Sequence, residues 1–282
     1  MACSLLPGNH LKLMIIAKAR MSDGFFCYIG WDEDTEDRHK LVRPVLRQNS
    51  CRWRLAKDKD LNVGEKHLFE VRSPELQGIS HPHRANDVFV SYSKPCDQST
   101  KASDVVDLYD ILIKQGHQTV KEVFDNTLRE GKYVLEHTKC PSVGVYKCKR
   151  EKLRITTDNN RDERTCEITE DPLVVYKYKI TAVDDELSVV DPSEDVLVIL
   201  GLTRPYRGSS HQFTKLRCYV IVVGFVTRSR SQQQSPQSPL SVLHGENAND
   251  VSVSGVLSPQ RKRKRETDYD NENKSSSRRF KT

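Results

Sequence analysis

Along its first 228 positions the chain reads as short apolar runs whose period changes twice. The opening runs "LKLMIIAKAR" and "FFCYIGW" are joined by "MSDG", a short glycine-containing turn of the kind that closes a hairpin. Next come "KLVRPVLR", "KHLFEVRS" and "NDVFVSYS", each carrying β-branched or aromatic residues between Pro, Gly, Ser or Asn boundaries. About five strands are therefore expected before residue 95.

The spacing then becomes helical. In "SDVVDLYDILIKQG" the residues Val105, Leu108, Tyr109 and Leu112 recur on one face, with Ser103 as the expected N-cap and Gly116 as the stop. Thr119 and Glu122 predict a capping box for a second helix, whose face is Val120, Val123, Phe124 and Leu128 and whose end is Gly131. The pair is expected to plug a β structure. Strand patterns return in "SVGVYKCKREKLRITTD", "TCEITEDPLVVYKYKITAVDD", "DVLVILGLT" and "LRCYVIVVGFVTR". In "VYKYKI" the alternation puts Tyr176, Tyr178 and Ile180 on one side and Lys177 and Lys179 on the other, which predicts a sheet with one wet, positive face. "YKCKREKLR" puts charge on both sides, as an exposed edge strand protected by lysine would.

Composition breaks sharply after Arg228. From Ser229 onward the chain is rich in Ser, Gln, Asn and charge and too poor in apolar residues to offset chain entropy, so residues 229–282 are expected to be disordered. The boundaries drawn from these patterns are 10–98 for a first β domain, 99–138 for a helical connector, 139–228 for a second β domain and 229–282 for the tail. The tail holds 10 Lys and Arg against 6 Asp and Glu, four of the formal +6, which leaves 35 against 33 in the body. A nearly neutral body implies no strong nonspecific grip on phosphate, and any basic surface there must come from uneven placement.

The eight cysteines lie scattered, with no paired spacing of a zinc ribbon or disulfide framework, which predicts free thiols in a reducing compartment. No run reaches the length of a bilayer span, and the expectation is a soluble protein without membrane contact. No nucleophile elbow, phosphate loop or dinucleotide fingerprint occurs, so no enzyme activity and no cofactor are expected. The acidic stretch "WDEDTEDRHK" lacks the spacing of a calcium loop and is expected to be solvated, and "HPHR" at His81 to Arg84 lacks companion ligands, which predicts a polar structural loop and no metal.

Two all-β units of about five strands, with helices between, match the five-stranded Greek-key barrel called the OB-fold. The expected fold class is mainly β with a helical insert (α+β): two OB-like β-barrels followed by a disordered tail. From Lys12 to Arg228 the chain also resembles the dual OB-domain proteins, a family of paired OB-folds. The likeness rests on the opening "KLMIIAKARMSDGFFCYIGWD", the strand with Arg43 and Pro44, "PHRANDV" at Pro82 to Val88, and the ending "LSVVDPSEDVLVILGLTRPY" with "RCYVIVVGFV". In the His segment Arg84, Ala85 and Asn86 stand where the family has Gln, Pro and an acid. The resemblance implies a nucleic-acid-binding or sensing module, of a kind considered in connection with immunity systems.

OB barrels bind single strands by laying bases on exposed rings while basic side chains follow the phosphates. A Leu-x-Arg-Pro core occurs twice, in "KLVRPVLR" and in "GLTRPYRG". These stretches and their surroundings nominate Arg43, Arg47, Trp53, Arg204, Tyr206 and Arg207, with arginines on phosphates and rings stacked on bases. The competing reading of the same residues is that Pro ends a strand, Arg pairs with a core carboxylate, and the rings pack at a barrel mouth. The run Arg261, Lys262, Arg263, Lys264, Arg265 in the tail predicts a nuclear localisation signal read by an acidic import receptor. Function is therefore expected to be non-enzymatic binding of single-stranded or unstacked DNA or RNA in the nucleus; the alternative is a protein-interaction adaptor, which the neutral body favours.

Overall fold

A computed structural model describes residues 10–21, 25–32, 41–46, 53–54, 61–71, 80–95, 108–158, 163–183, 187, 190–206 and 215–228. The first β unit contains β1 (His10–Arg20), β2 (Phe25–Asp32), β3 (Leu41–Leu46), the short β4 (Trp53–Arg54), β5 (Lys66–Val71) and β6 (Asp87–Pro95). The predicted hairpin is present as the antiparallel pair β1–β2, with Ala19 opposite Cys27 and Arg20 opposite Phe26. The sheet runs β1-β5-β6-β3-β2 and returns to β1, which closes a five-stranded barrel of OB type. Its one parallel pairing is β3 with β6, where Arg43 faces Asp87. Closure leaves an interior filled by Leu11, Leu13, Ile15, Phe26, Tyr28, Val42, Phe69 and Val90.

Two short helices follow, α1 (Leu108–Ile113) and α2 (Val120–Val123). The capping box is formed as predicted: the Thr119 side chain accepts from Glu122 N, and the Glu122 carboxylate accepts from Thr119 N. The second helix is nevertheless a single turn and does not run on to Gly131. Asp125 and Asn126 both adopt positive φ, which a helix cannot continue through. Val120, Val123, Phe124 and Leu128 are still all buried, because the turn that replaces the helix keeps them facing the second sheet.

The second β unit comprises β7 (Tyr133–Leu135), β8 (Val143–Lys149), β9 (Leu153–Asp158), β10 (Glu163–Asp171), β11 (Val174–Ile180), β12 (Asp195–Leu202) and β13 (Arg217–Thr227). They form one sheet in the order β8-β12-β13-β11-β10-β9, with β7 on β13. The strand expected over "YKCKREKLR" is broken by a 3-10 turn at Arg150–Lys152, where the Arg150 guanidinium donates to Leu187 O and Leu153 O. Its first half, β8, stands at the end of the sheet as expected of an edge strand, paired along its length with β12, and its outer side is covered in part by the backbone of His117, whose N donates to Val145 O and whose O accepts from Lys147 N. Counted as one bent strand, β8 and β9 give the second sheet the connectivity of the first, and the single parallel pairing again joins the third strand to the last, β11 to β13.

A third apolar cluster lies between the two sheets and explains why "LMII" and "VLVIL" are continuous instead of alternating. Met14, Ile16, Ala17, Trp31 and Leu41 from the first unit meet Leu108, Tyr109 and Leu112 of α1 and Val143, Val145, Leu197, Ile199, Val223 and Val226 of the second. Gly224 is required there: a Cβ on it would come within 2.9 Å of Ala17 Cβ. The unit Met1–Gln237 thus holds both β structures, and the remaining unit, Ser238–Thr282, lies outside the described residues. Among the described residues no helix is long and apolar enough to cross a membrane.

Candidate functional site

Arg43 stands in β3 directly opposite Asp87 of β6, a pairing that parallel register imposes and that puts both side chains between the two sheets. Arg43 is only 5% exposed and Asp87 is fully enclosed. A buried guanidinium is tolerated only when its donors are matched. Arg43 Nη1 donates to His83 Nδ1 at 2.9 Å and lies 3.5 Å from Asp87 Oδ1, while Nη2 donates to Ser142 O at 3.2 Å. Because arginine only donates, His83 Nδ1 must be the bare nitrogen and Nε2 carries the proton, which it donates to Thr203 O at 2.9 Å. Burial, with the charges of Arg43 and Arg204 added to it, pushes the His83 pKa down to about 2. The ring is neutral and works as a fixed strut.

The turn that delivers His83 also delivers Asn86. Its Nδ2 donates to Leu41 O at 2.8 Å, and its Oδ1 accepts from Ser142 N at 2.7 Å. Arg204, just past β12, completes the group with Nη1 2.6 Å from Asp87 Oδ2. Both arginines of the two Leu-x-Arg-Pro stretches therefore converge, but on one buried carboxylate and not on an open channel. Arg43 is thus an internal residue whose guanidinium is taken up by His83, Ser142 and Asp87, which matches the competing expectation of an arginine paired with a core carboxylate. Arg204 differs, since its side chain is 36% exposed and lies at the boundary with solvent.

Tyr206 is 57% exposed. Its backbone pairs with Arg217 in both directions, Tyr206 N to Arg217 O at 2.9 Å and the reverse at 3.0 Å, which sets the two side chains on one face. Across the next pairing, Arg217 faces Leu135 and Tyr219 faces Tyr133. The Arg217 guanidinium sits 4.2 Å from the Tyr133 ring centroid, and the Tyr133 and Tyr219 rings are 5.9 Å apart and tilted by 56°. Tyr206, Arg217 and Tyr219 thus form a basic and aromatic ledge at the connection between β12 and β13, with Arg204 two residues before Tyr206 and turned to Asp87. Arg217 and Tyr219 were missed by the sequence reading, although the alternation in "RCYVIVV" sets both apart from the inward Cys218 and Val220.

Trp53 lies in β4 with its backbone paired to Phe26. Arg47, Arg207, the acidic stretch after Asp32 and the run Arg261 to Arg265 lie outside the described residues. The wet face expected on β11 is present but is not positive overall: Lys177 lies 3.4 Å from Glu167 and Lys179 lies 2.9 Å from Glu163, while Tyr176, Tyr178 and Ile180 point into the core. Among the described residues of β11, the outward side chains Val175, Lys177 and Lys179 include no ring for a base to stack on. Burial pushes the pKa of Cys148 and of Cys218 up to about 12, so these two stay as protonated thiols. Among the described residues no group of three or more His, Cys, Asp or Glu side chains is placed to hold a metal ion.

No protein-family model matches this chain, and no curated protein matches it.

Proposed function

We propose that the chain is a non-enzymatic nucleic-acid-binding protein, with two OB-like barrels of the paired kind and a ligand site on the second. Support for a second barrel comes from its sheet, which repeats the strand order and the single parallel pairing of the closed one. In OB barrels the connection between the fourth and fifth strands flanks the ligand groove, and here that connection joins β12 to β13. The observation that carries the reading is Tyr206, an exposed ring fixed by backbone pairing beside Arg217, with Arg204 two residues away. A base stacks on such a ring without regard to sequence, and Arg217 accompanies its phosphate, joined by Arg204 only where Asp87 releases it.

The test is a titration of a fluorescent oligothymidylate with the full chain in which Arg261 to Arg265 are replaced by glutamine, so that the tail cannot supply the charge. Saturable binding is expected, and Tyr206→Ala weakens it about tenfold. Binding that disappears with the basic run alone would refute the assignment. Import into the nucleus through that run is part of the same proposal.

A second reading, a protein-interaction adaptor, is favoured by the turn between β10 and β11. Leu173 there is 93% exposed, flanked by the exposed Val174 and Val175, and Asp171 Oδ1 accepts from Leu173 N at 3.0 Å, which holds the apolar tip outward.

A further inference from the structure

We propose that Asp87 is a charge regulator for the loop carrying Arg204 and Tyr206: the first barrel, through this carboxylate, sets how strongly the second barrel's loop attracts a phosphate backbone. The inference rests on the nucleic-acid reading above and names the regulation of that same site.

The charges at the junction decide it. Two guanidinium groups face one carboxylate, and His83 is neutral because its Nδ1 accepts from Arg43. Arg43 is held within the junction by His83 and Ser142 and stands 3.5 Å from the carboxylate, whereas Arg204 approaches it to 2.6 Å. Asp87 is fully enclosed, so water reaches the pair only from the Arg204 side, and the carboxylate offsets much of the Arg204 charge at the loop even though Arg43 shares it. The Asp87 oxygens lie 2.6 Å from Arg204 and 3.5 Å from Arg43 without the alignment of a directional hydrogen bond, so the contact with Arg204 is chiefly one of charge. Such a contact is exchangeable for a phosphate oxygen of comparable charge.

The loop is tied to the first barrel at two consecutive residues, Thr203 through His83 Nε2 and Arg204 through Asp87. Pro205 then limits the backbone freedom between this anchor and Tyr206. Tyr206 follows Arg204 by two residues, so a strand stacked on its ring would carry phosphates toward the guanidinium that Asp87 holds, and the two would compete for it. In the free protein the carboxylate wins, and the loop presents less positive charge than its sequence suggests.

The experiment is a double-mutant cycle with Asp87→Asn and Arg204→Gln in the full chain lacking the tail's basic run, reading oligothymidylate affinity against salt and folding by thermal melt. Asn keeps the shape of Asp and removes its charge. Asp87→Asn is expected to bind about three- to tenfold tighter near 0.1 M salt, with a salt slope steeper by about 0.7, one single-strand phosphate contact. Arg204→Gln reverses that gain in the Asn background but alters the slope little when Asp87 is present. A purely structural role for Asp87 predicts the opposite, weaker binding, so a folded Asp87→Asn protein with unchanged or reduced affinity overturns the proposal. If Asp87→Asn fails to fold, Arg204→Gln alone decides: an unchanged slope supports the regulator, and a slope shallower by about 0.7 overturns it. A parent chain that binds no oligothymidylate removes the nucleic-acid reading and this inference with it, whereas binding without the Asp87 effect removes only the inference.

Discussion

The two Leu-x-Arg-Pro stretches share a core and end in opposite environments. In Leu41-Val42-Arg43-Pro44 the arginine lies inside β3, and the parallel neighbour β6 sets Asp87 against it with solvent shut out on both sides. In Leu202-Thr203-Arg204-Pro205 the strand β12 has just ended, so the arginine leaves the sheet and reaches back to the same carboxylate from the solvent side. The residue type is the same and the partner is the same. What differs is how much water each guanidinium retains, and that decides whether the arginine serves the fold or remains available to a ligand.

Replacing Arg43 breaks the comparison most severely. Arg43→Ala leaves Asp87 enclosed and its Ser142 and His83 partners unmatched, with an expected loss of about 3–5 kcal/mol in urea unfolding. A loss below about 1 kcal/mol would mean that the buried arginine is not structural.

Acidification acts on the same side through His83. Its folded-state pKa is depressed from 6.5 to about 2, so below about pH 6.5 the unfolded chain binds one more proton than the folded one. The stability due to the neutral ring is complete above that pH and falls by about 1.4 kcal/mol per unit on acidification, or about 2 kcal/mol by pH 5. Unfolding curves at pH 7 and pH 5 should show this increment in the natural chain and lose it in His83→Gln.

On the solvent side the effects move from stability to binding. Tyr206→Ala should leave the melting curve within about 0.5 kcal/mol of the parent, since the ring is mostly exposed, yet cost about 1–2 kcal/mol in oligothymidylate binding. The smallest expected change is Arg204→Ala, about 1 kcal/mol of stability, because half-solvated pairs contribute little and Arg43 stays beside Asp87. Equal losses for Arg43→Ala and Arg204→Ala would erase the distinction drawn between the two stretches.

Much of the fold was legible because its signals are local. The hairpin of β1 and β2, the capping box of Thr119 and Glu122, and the inward Tyr176, Tyr178 and Ile180 each follow from residues within a few positions of one another. The shortness of α2 was not legible, since Asp125 and Asn126 fit a helix poorly but do not forbid one. The site was legible only in part. Tyr206 and Arg204 were found by composition, but the ledge also needs β7 to bring Tyr133 beside Tyr219, a pairing of segments more than eighty residues apart.

By itself the sequence determined where most strands lie, which faces of them are apolar, and that β structure on either side of a short helical stretch precedes a polar tail, because side-chain period and turn chemistry act over short distances. Only the tertiary structure decided what each arginine does. Asp87 is 44 residues from Arg43 and 117 from Arg204, and no local rule brings the three together. Closure of the first barrel and the apolar contact between the two sheets do so, and in the same step they remove the water that would otherwise have kept those charges apart.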